Sequence, residues 1–174
     1  VMVKQIIVTG PESSGKTTLV NWLHNQFSLY LVEEYARTYL GARKAAYTFE
    51  DLEHIAAHQL ARMEVGTNQD LMVLSDTGPL VLKIWAAEKF GKQIPAVEHY
   101  LASDRASLYL LCVPDIPWEP DPLREHPRDR QRLFDLYEQY LKVNSLPYVV
   151  LRGGMENRQQ QVKDLKLPLI ERQS

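Results

Sequence analysis

Cysteine is almost missing from this chain, and the one present, Cys112, has no partner for an internal disulfide. A disulfide-stapled extracellular scaffold is thereby excluded, and a single thiol suits a reducing compartment. No run approaches the roughly 18 to 20 apolar residues that cross a bilayer, so no membrane association is expected. A basic n-region and a small-residue cleavage site are also lacking at the N-terminal end, which leaves a cytoplasmic location as the expectation. Charge of one sign is not in excess: the formal net charge is -2, which gives no general case for nucleic acid as a partner. Gly/Ser linkers, repeats and low-complexity tracts are absent as well, so 174 residues are expected to form one domain, residues 1–174. Five histidines include the i,i+4 pair His54 and His58, but without an HExxH pattern or a third ligand a zinc site is not expected.

What is present is an alternation of short apolar runs with longer segments of helical period, the pattern of an α/β domain with a parallel sheet. Five strands are expected, at Lys4–Thr9, Leu29–Glu33, Leu71–Ser75, Ser107–Val113 and Tyr148–Leu151. Most are continuously apolar, as strands covered on both faces are. Helices are expected over Lys16–Phe27, Glu34–Arg43, Phe49–Val65, Pro79–Phe90, Pro95–Ser103, Arg128–Val143 and Arg158–Leu165. Thr48 before "FEDLEHIAAHQLARM" reads as an N-cap with Asp51 three residues on. Pro79 and Pro95 suit first helical turns.

One segment carries a chemical signature. "GPESSGKT", Gly10, Pro11, Glu12, Ser13, Ser14, Gly15, Lys16 and Thr17, fits G-x-x-x-x-G-K-[ST] at every fixed position, with a strand before it and a helix after it. Glycines there let successive N–H groups turn inward, and the new helix adds its positive end. Lys16 is placed to reach the β- and γ-phosphates of a nucleoside triphosphate, and Thr17 to ligate Mg²⁺. The G-x-G-x-x-G pattern of a dinucleotide fold is absent.

Further along, "LMVLSDTGP" ends a strand on Asp76, where such a fold places a carboxylate beside the metal; the bland alternative is a helix N-cap ahead of Pro79. "LYLVEEYAR" puts Glu33, Glu34 and Arg37 at another strand end, facing the crevice of an open parallel sheet. Glu34 and Asp76 are the two candidates for a base that orients an acceptor hydroxyl, against the alternative of a solvated helix start. In "PDIPWEPDPLREHPRDRQR", five prolines between Pro114 and Pro127 stiffen a loop. Arg128 and Arg132 then lie four apart on one helical face and Arg124 precedes the helix, together a candidate lid over the phosphates; otherwise they mark a surface helix partly neutralised by Glu125 and Asp129. Trp85 reads as core, whereas Trp118 and Tyr35 suit the wall of a flat, cationic ring.

Taken together, "GPESSGKTTLV", "EEYAR", "SDTGPLVLKIW" and "PDIPWEPDPLREHPRDRQRLFDLYEQYL" resemble the ribosylnicotinamide kinase domain of the NadR-type bacterial NAD-biosynthesis proteins, an AAA-like P-loop kinase family. The resemblance implies a three-layer P-loop fold with a five-stranded parallel sheet. It also implies ATP and Mg²⁺ as cofactors and transfer of the γ-phosphate to the 5′-hydroxyl of nicotinamide riboside, giving nicotinamide mononucleotide. On that footing Gly10 to Thr18 cradle ATP, and Asp76 lies near metal and acceptor. Glu34, Tyr35, Arg37, Trp118 and Asp121 surround the riboside, and Arg124, Arg128 and Arg132 belong to the lid. The family's strand end often reads D-T-D, whereas here Asp76, Thr77 and Gly78 stand, one carboxylate fewer. Another nucleoside or nucleotide as acceptor, or a P-loop ATPase acting as a regulatory switch, shares the same phosphate site. The acceptor partner is in any case a small molecule, and a homo-oligomer is left open. For the adenine, the segment from Arg152 to Gly154 is the place to look.

Overall fold

The apolar run ahead of the glycine motif becomes the centre of the molecule. In the computed structural model, which describes residues 3–41, 46–103, 105–121 and 128–171, this run is β1 (Gln5–Thr9), with all five residues buried. It is flanked by β3 (Val73–Asp76) on one side and β4 (Ser107–Cys112) on the other. The edges are β2 (Tyr30–Val32) and β5 (Tyr148–Leu151), giving a five-stranded parallel sheet of order β2-β3-β1-β4-β5. Side chains alternate across the pleat, so Ile6 and Val8 join Leu19, Leu23 and Leu74 in one core while Ile7 joins Val32 and Leu80 in the other. Burial on both faces is what makes these strands continuously apolar.

Two helical layers cover the sheet. On one face lie α1 (Lys16–Gln26) and α7 (Met155–Asp164). On the other lie α2 (Tyr35–Gly41), α3 (Phe49–Asn68), α4 (Pro79–Phe90), α5 (Pro95–Ala102) and α6 (Arg130–Val143). The expected three-layer α/β fold is therefore present. Thr48 caps α3 in a full capping box: its side chain accepts from Asp51 N while the Asp51 carboxylate accepts from Thr48 N at 2.8 Å. Such a cap contributes about 1 kcal/mol.

Boundaries differ from expectation where turns intervene. β3 starts two residues late, because α3 runs on to Asn68 and Asp70 turns with a φ of 54°. It then ends on Asp76 itself, paired with Val8. The last helix begins at Met155 rather than Arg158, since Gly153 (φ 79°) ends the strand sharply and Gly154 caps the helix at once. Arg158 thus sits inside a helix with none of its surface exposed. Arg128 precedes α6, which Asp129 caps.

Strand order reverses about β1, with β3 reached on one side and β4 on the other. In an open parallel sheet the crevice beyond such a switch point is where ligands bind. The glycine-rich loop emerges there.

Candidate active site

The loop between β1 and α1 is shaped by three positive-φ residues, Gly10 (136°), Ser13 (52°) and Gly15 (80°). Gly10 is required for a second reason: a Cβ there would lie 2.7 Å from the Cys112 carbonyl oxygen of β4. Turning N–H groups toward one concavity leaves the carbonyls pointing away, and donors take them up. Lys16 donates to Gly10 O at 3.0 Å and Pro11 O at 2.7 Å, and Ser14 Oγ donates to Pro11 O at 2.7 Å. Burial holds the Lys16 ammonium below its usual pKa, partly offset by the charges of Glu34 and Asp76.

Thr17, in the first turn of α1, donates its hydroxyl to Asp76 Oδ2 at 2.7 Å. The other oxygen, Asp76 Oδ1, is buried with no hydrogen-bond partner among the described residues. Burial pushes this carboxyl up to about 6, and the Glu34 charge adds to the effect. A hydroxyl and a carboxylate side by side are hard oxygen donors of the kind Mg²⁺ takes, and the orphaned Oδ1 is a lone pair with no partner among the described residues. Among the described residues no group of three or more His, Cys, Asp or Glu side chains could hold a metal ion. Phosphate oxygens and water would have to complete the coordination, as is usual for Mg²⁺.

Beyond the loop opens a cavity of about 210 Å³. Gly10 to Thr18 form one wall, and Glu34, Arg37, Trp85 and Tyr137 contribute to the rest. Glu34 thus shares a cavity with the phosphate loop. Arg37 holds it there, donating to Glu34 Oε2 at 2.9 Å and to Asp121 Oδ2 at 2.8 Å. Trp85, read from sequence as core, packs on the core and also lines the cavity, fixed by its indole N–H to Tyr47 at 2.8 Å. Tyr35 stacks on His58 at 3.6 Å. Trp118 lies under the Arg130 guanidinium at 5.6 Å.

The missing second carboxylate has a steric explanation. Gly78 caps α4, and a Cβ at this position would come within 2.9 Å of Ile7 Cγ2. Ile7 is wholly buried in the central strand, so a side chain at residue 78 has nowhere to go without displacing the core.

The arginines sort differently from the sequence expectation. Arg124 lies outside the described residues, and Arg128 is exposed. Arg132 pairs with Glu88 and Asp129 rather than with the phosphate loop. Instead Arg130, singled out by no motif, donates to Ser13 O and to Ile116 O, each at 3.0 Å. Arg158 reaches the same loop from α7, donating to Ser14 O, to Gly153 O at 2.9 Å, to Val113 O at 2.8 Å and to Asp115 Oδ1 at 2.7 Å. Gly153, in the segment proposed for adenine, donates its own N–H to Asp115 Oδ2 at 2.7 Å. Gln59 is a third omission: it accepts from Tyr35 N and donates to Ser75 Oγ and Asp76 O. These three side chains serve backbone groups far away in sequence, which local spacing does not announce.

Comparison with known proteins agrees with this architecture. The model of the AAA_28 family, described as an AAA domain, matches residues 5–158. Over 154 residues the chain is 29% identical to the trifunctional NAD biosynthesis/regulator protein NadR of Salmonella typhimurium and 28% identical to that of Escherichia coli K12. Each alignment covers 84% of this chain but only 38% of the relative, so the chain spans well under half the length of these proteins. Among solved structures, NadR in complex with NR superposes with a TM-score of 0.79 at 24% identity, over 99% of this chain and 54% of that one. NadR in complex with NAD and AMP-PNP gives 0.72 at 20%, over 99% and 52%. The Bacillus subtilis YorR protein in complex with phosphorylated GDP gives 0.57 at 13%, over 93% of both chains. At these identities the superpositions establish the fold.

Proposed function

The chain belongs to the AAA_28 family of AAA domains, and on that premise we propose that it transfers the γ-phosphoryl group of ATP to the 5′-hydroxyl of nicotinamide riboside. The observation that carries the proposal is the pairing of Thr17 with a buried, half-satisfied Asp76 beneath the phosphate loop, while Glu34 faces the same cavity. A phosphate cradle alone serves any nucleoside triphosphatase. A second acid at the wall of the same cavity suits an acceptor hydroxyl. That NadR has been solved with NR, and with NAD and AMP-PNP, supports a donor of ATP type and this acceptor.

In the proposed reaction the acceptor oxygen bonds to the γ-phosphorus as the bond to the β,γ-bridging oxygen breaks, and ADP leaves. Glu34 takes the acceptor proton, since it lines the cavity, whereas Asp76 is buried behind the loop and lies outside that lining. Lys16 and the loop N–H groups meet charge on the phosphate oxygens, and positioning with electrostatics supplies most of the acceleration. Thr17 and Asp76 would hold Mg²⁺, which neutralises phosphate charge when bound.

Incubation with Mg·ATP and a panel of nucleosides, read by mass detection of the phosphorylated product, tests the assignment. Nicotinamide riboside should gain one phosphate, and Lys16→Ala should lose the activity. Phosphorylation of a different nucleoside alone would replace the acceptor. ATP hydrolysis without any phosphorylated nucleoside would overturn the kinase assignment.

A further inference from the structure

We infer that Arg130 and Arg158 are positioning residues of the phosphate site, which hold the loop in its anion-binding shape by its outward carbonyls. The inference rests on the triphosphate assignment of that loop and goes beyond the motif, which contains neither residue. For N–H groups to converge on a phosphate, the carbonyls of the same peptides must face away, and each buried one needs a donor. Ser13 and Ser14 present two such carbonyls in succession. Arg130 takes the first at 3.0 Å and Arg158 takes the second.

The two guanidiniums come from opposite sides of the sheet. Arg130 is the first residue of α6, in the layer that packs on Ile7 and Leu80. Arg158 lies in α7, in the layer that packs on Ile6 and Val8. Each is fixed in turn by groups outside the loop. Arg130 spends the same nitrogen on Ile116 O and rests its face on Trp118. Arg158 is wholly buried and binds Val113 O, Gly153 O and Asp115. Gly15 is also closed in by this arrangement, since a Cβ there would lie 3.2 Å from both Arg158 Nη1 and Ile116 Cδ1. The tip of the loop is therefore gripped from both helical layers, with the guanidinium charges added behind the concavity. Neither arginine need touch the nucleotide to act.

Calorimetric titration of the whole chain with ADP, and separately with inorganic tripolyphosphate, tests the inference, with a thermal melt of each variant. Arg130→Met should weaken both ligands by roughly tenfold, while its melting temperature stays near that of the parent. Arg158→Lys keeps the charge but not the forked geometry, and it too should weaken both. Should Arg158→Met not fold, the lysine variant and Arg130→Met decide the matter. Parental affinity for ADP in Arg130→Met, or a loss of turnover without loss of affinity, would overturn the positioning role. A parent chain that binds neither ADP nor tripolyphosphate would sink the triphosphate assignment itself. Those two failures are read from different proteins.

Discussion

The Asp76 carboxyl is pushed up to about 6 from the usual 3.8, by burial first and by the Glu34 charge second. The folded chain therefore holds this proton more tightly than the unfolded chain does, and stability falls as pH rises from about 4 through 6. Above that window the cost is fully present, on the order of 2 to 3 kcal/mol. Asp76→Asn keeps an acceptor for the Thr17 hydroxyl and removes the charge. In metal-free buffer at pH 8 it should melt roughly 4 to 8 °C higher than the parent, with the gain shrinking toward pH 4, and phosphoryl transfer should be lost. An unchanged or lower melting temperature at pH 8 would show that Asp76 bears no such burden. Gly78 gives the opposite case: Gly78→Ala should destabilise by about 1 to 3 kcal/mol through its clash with Ile7, visible as a lower urea midpoint. At this scale the sequence was most legible where chemistry fixes offsets, as from Gly10 to Thr17. It was least legible where a lone side chain, such as Arg158, answers a distant carbonyl.

Between elements, Gln59 of α3 joins two strand ends. Its amide accepts from Tyr35 N at 3.1 Å, just past Glu34, and donates to Ser75 Oγ at 3.2 Å and Asp76 O at 3.3 Å. Only a group that is donor and acceptor at once serves both sides, so the shape-preserving Gln59→Glu is the sharper probe. It puts a carboxylate where two acceptors sit, and kcat should fall by roughly 10- to 100-fold with the KM for ATP little changed. A matching rise in the KM for ATP would mean that Gln59 supports the phosphate loop instead. Helix existence and type were readable here because α3 carries a capping box and an apolar stripe. The role of Gln59 was not, since one polar residue inside that stripe looks like any other until the strand ends are brought under it. Arg128 and Arg132 show the converse. A helix from Arg128 was expected, but α6 starts at Arg130, so Arg128 lies outside it, and the acids within reach, Glu88 and Asp129, decide where Arg132 points.

At the scale of the whole molecule, the sheet order puts β2 and β4 on opposite sides of β1, and the cavity lies over the gap. Arg37, beyond β2, reaches across it to Asp121, beyond β4, at 2.8 Å, while also holding Glu34. Strand order was not legible, because pairing is set by long-range contacts, whereas the parallel α/β alternation is local. The ion pair is substantially solvated, so it contributes about 0 to 1 kcal/mol to folding. In the proposed reaction its leverage lies in holding Arg37 at the cavity wall, where Arg37 aims Glu34. Arg37→Ala should therefore raise the KM for the acceptor by roughly tenfold, leave that for ATP unchanged, and move the melting temperature by no more than about 2 °C. Asp121→Asn should raise the acceptor KM less, because Arg37 keeps Glu34. The double variant Arg37→Ala/Asp121→Asn should be no worse than Arg37→Ala alone, the mark of two residues acting through one contact. Steady-state kinetics with each substrate varied in turn read all three variants. Equal rises in both KM values would place Arg37 at the nucleotide, and additive losses would separate Asp121 from it.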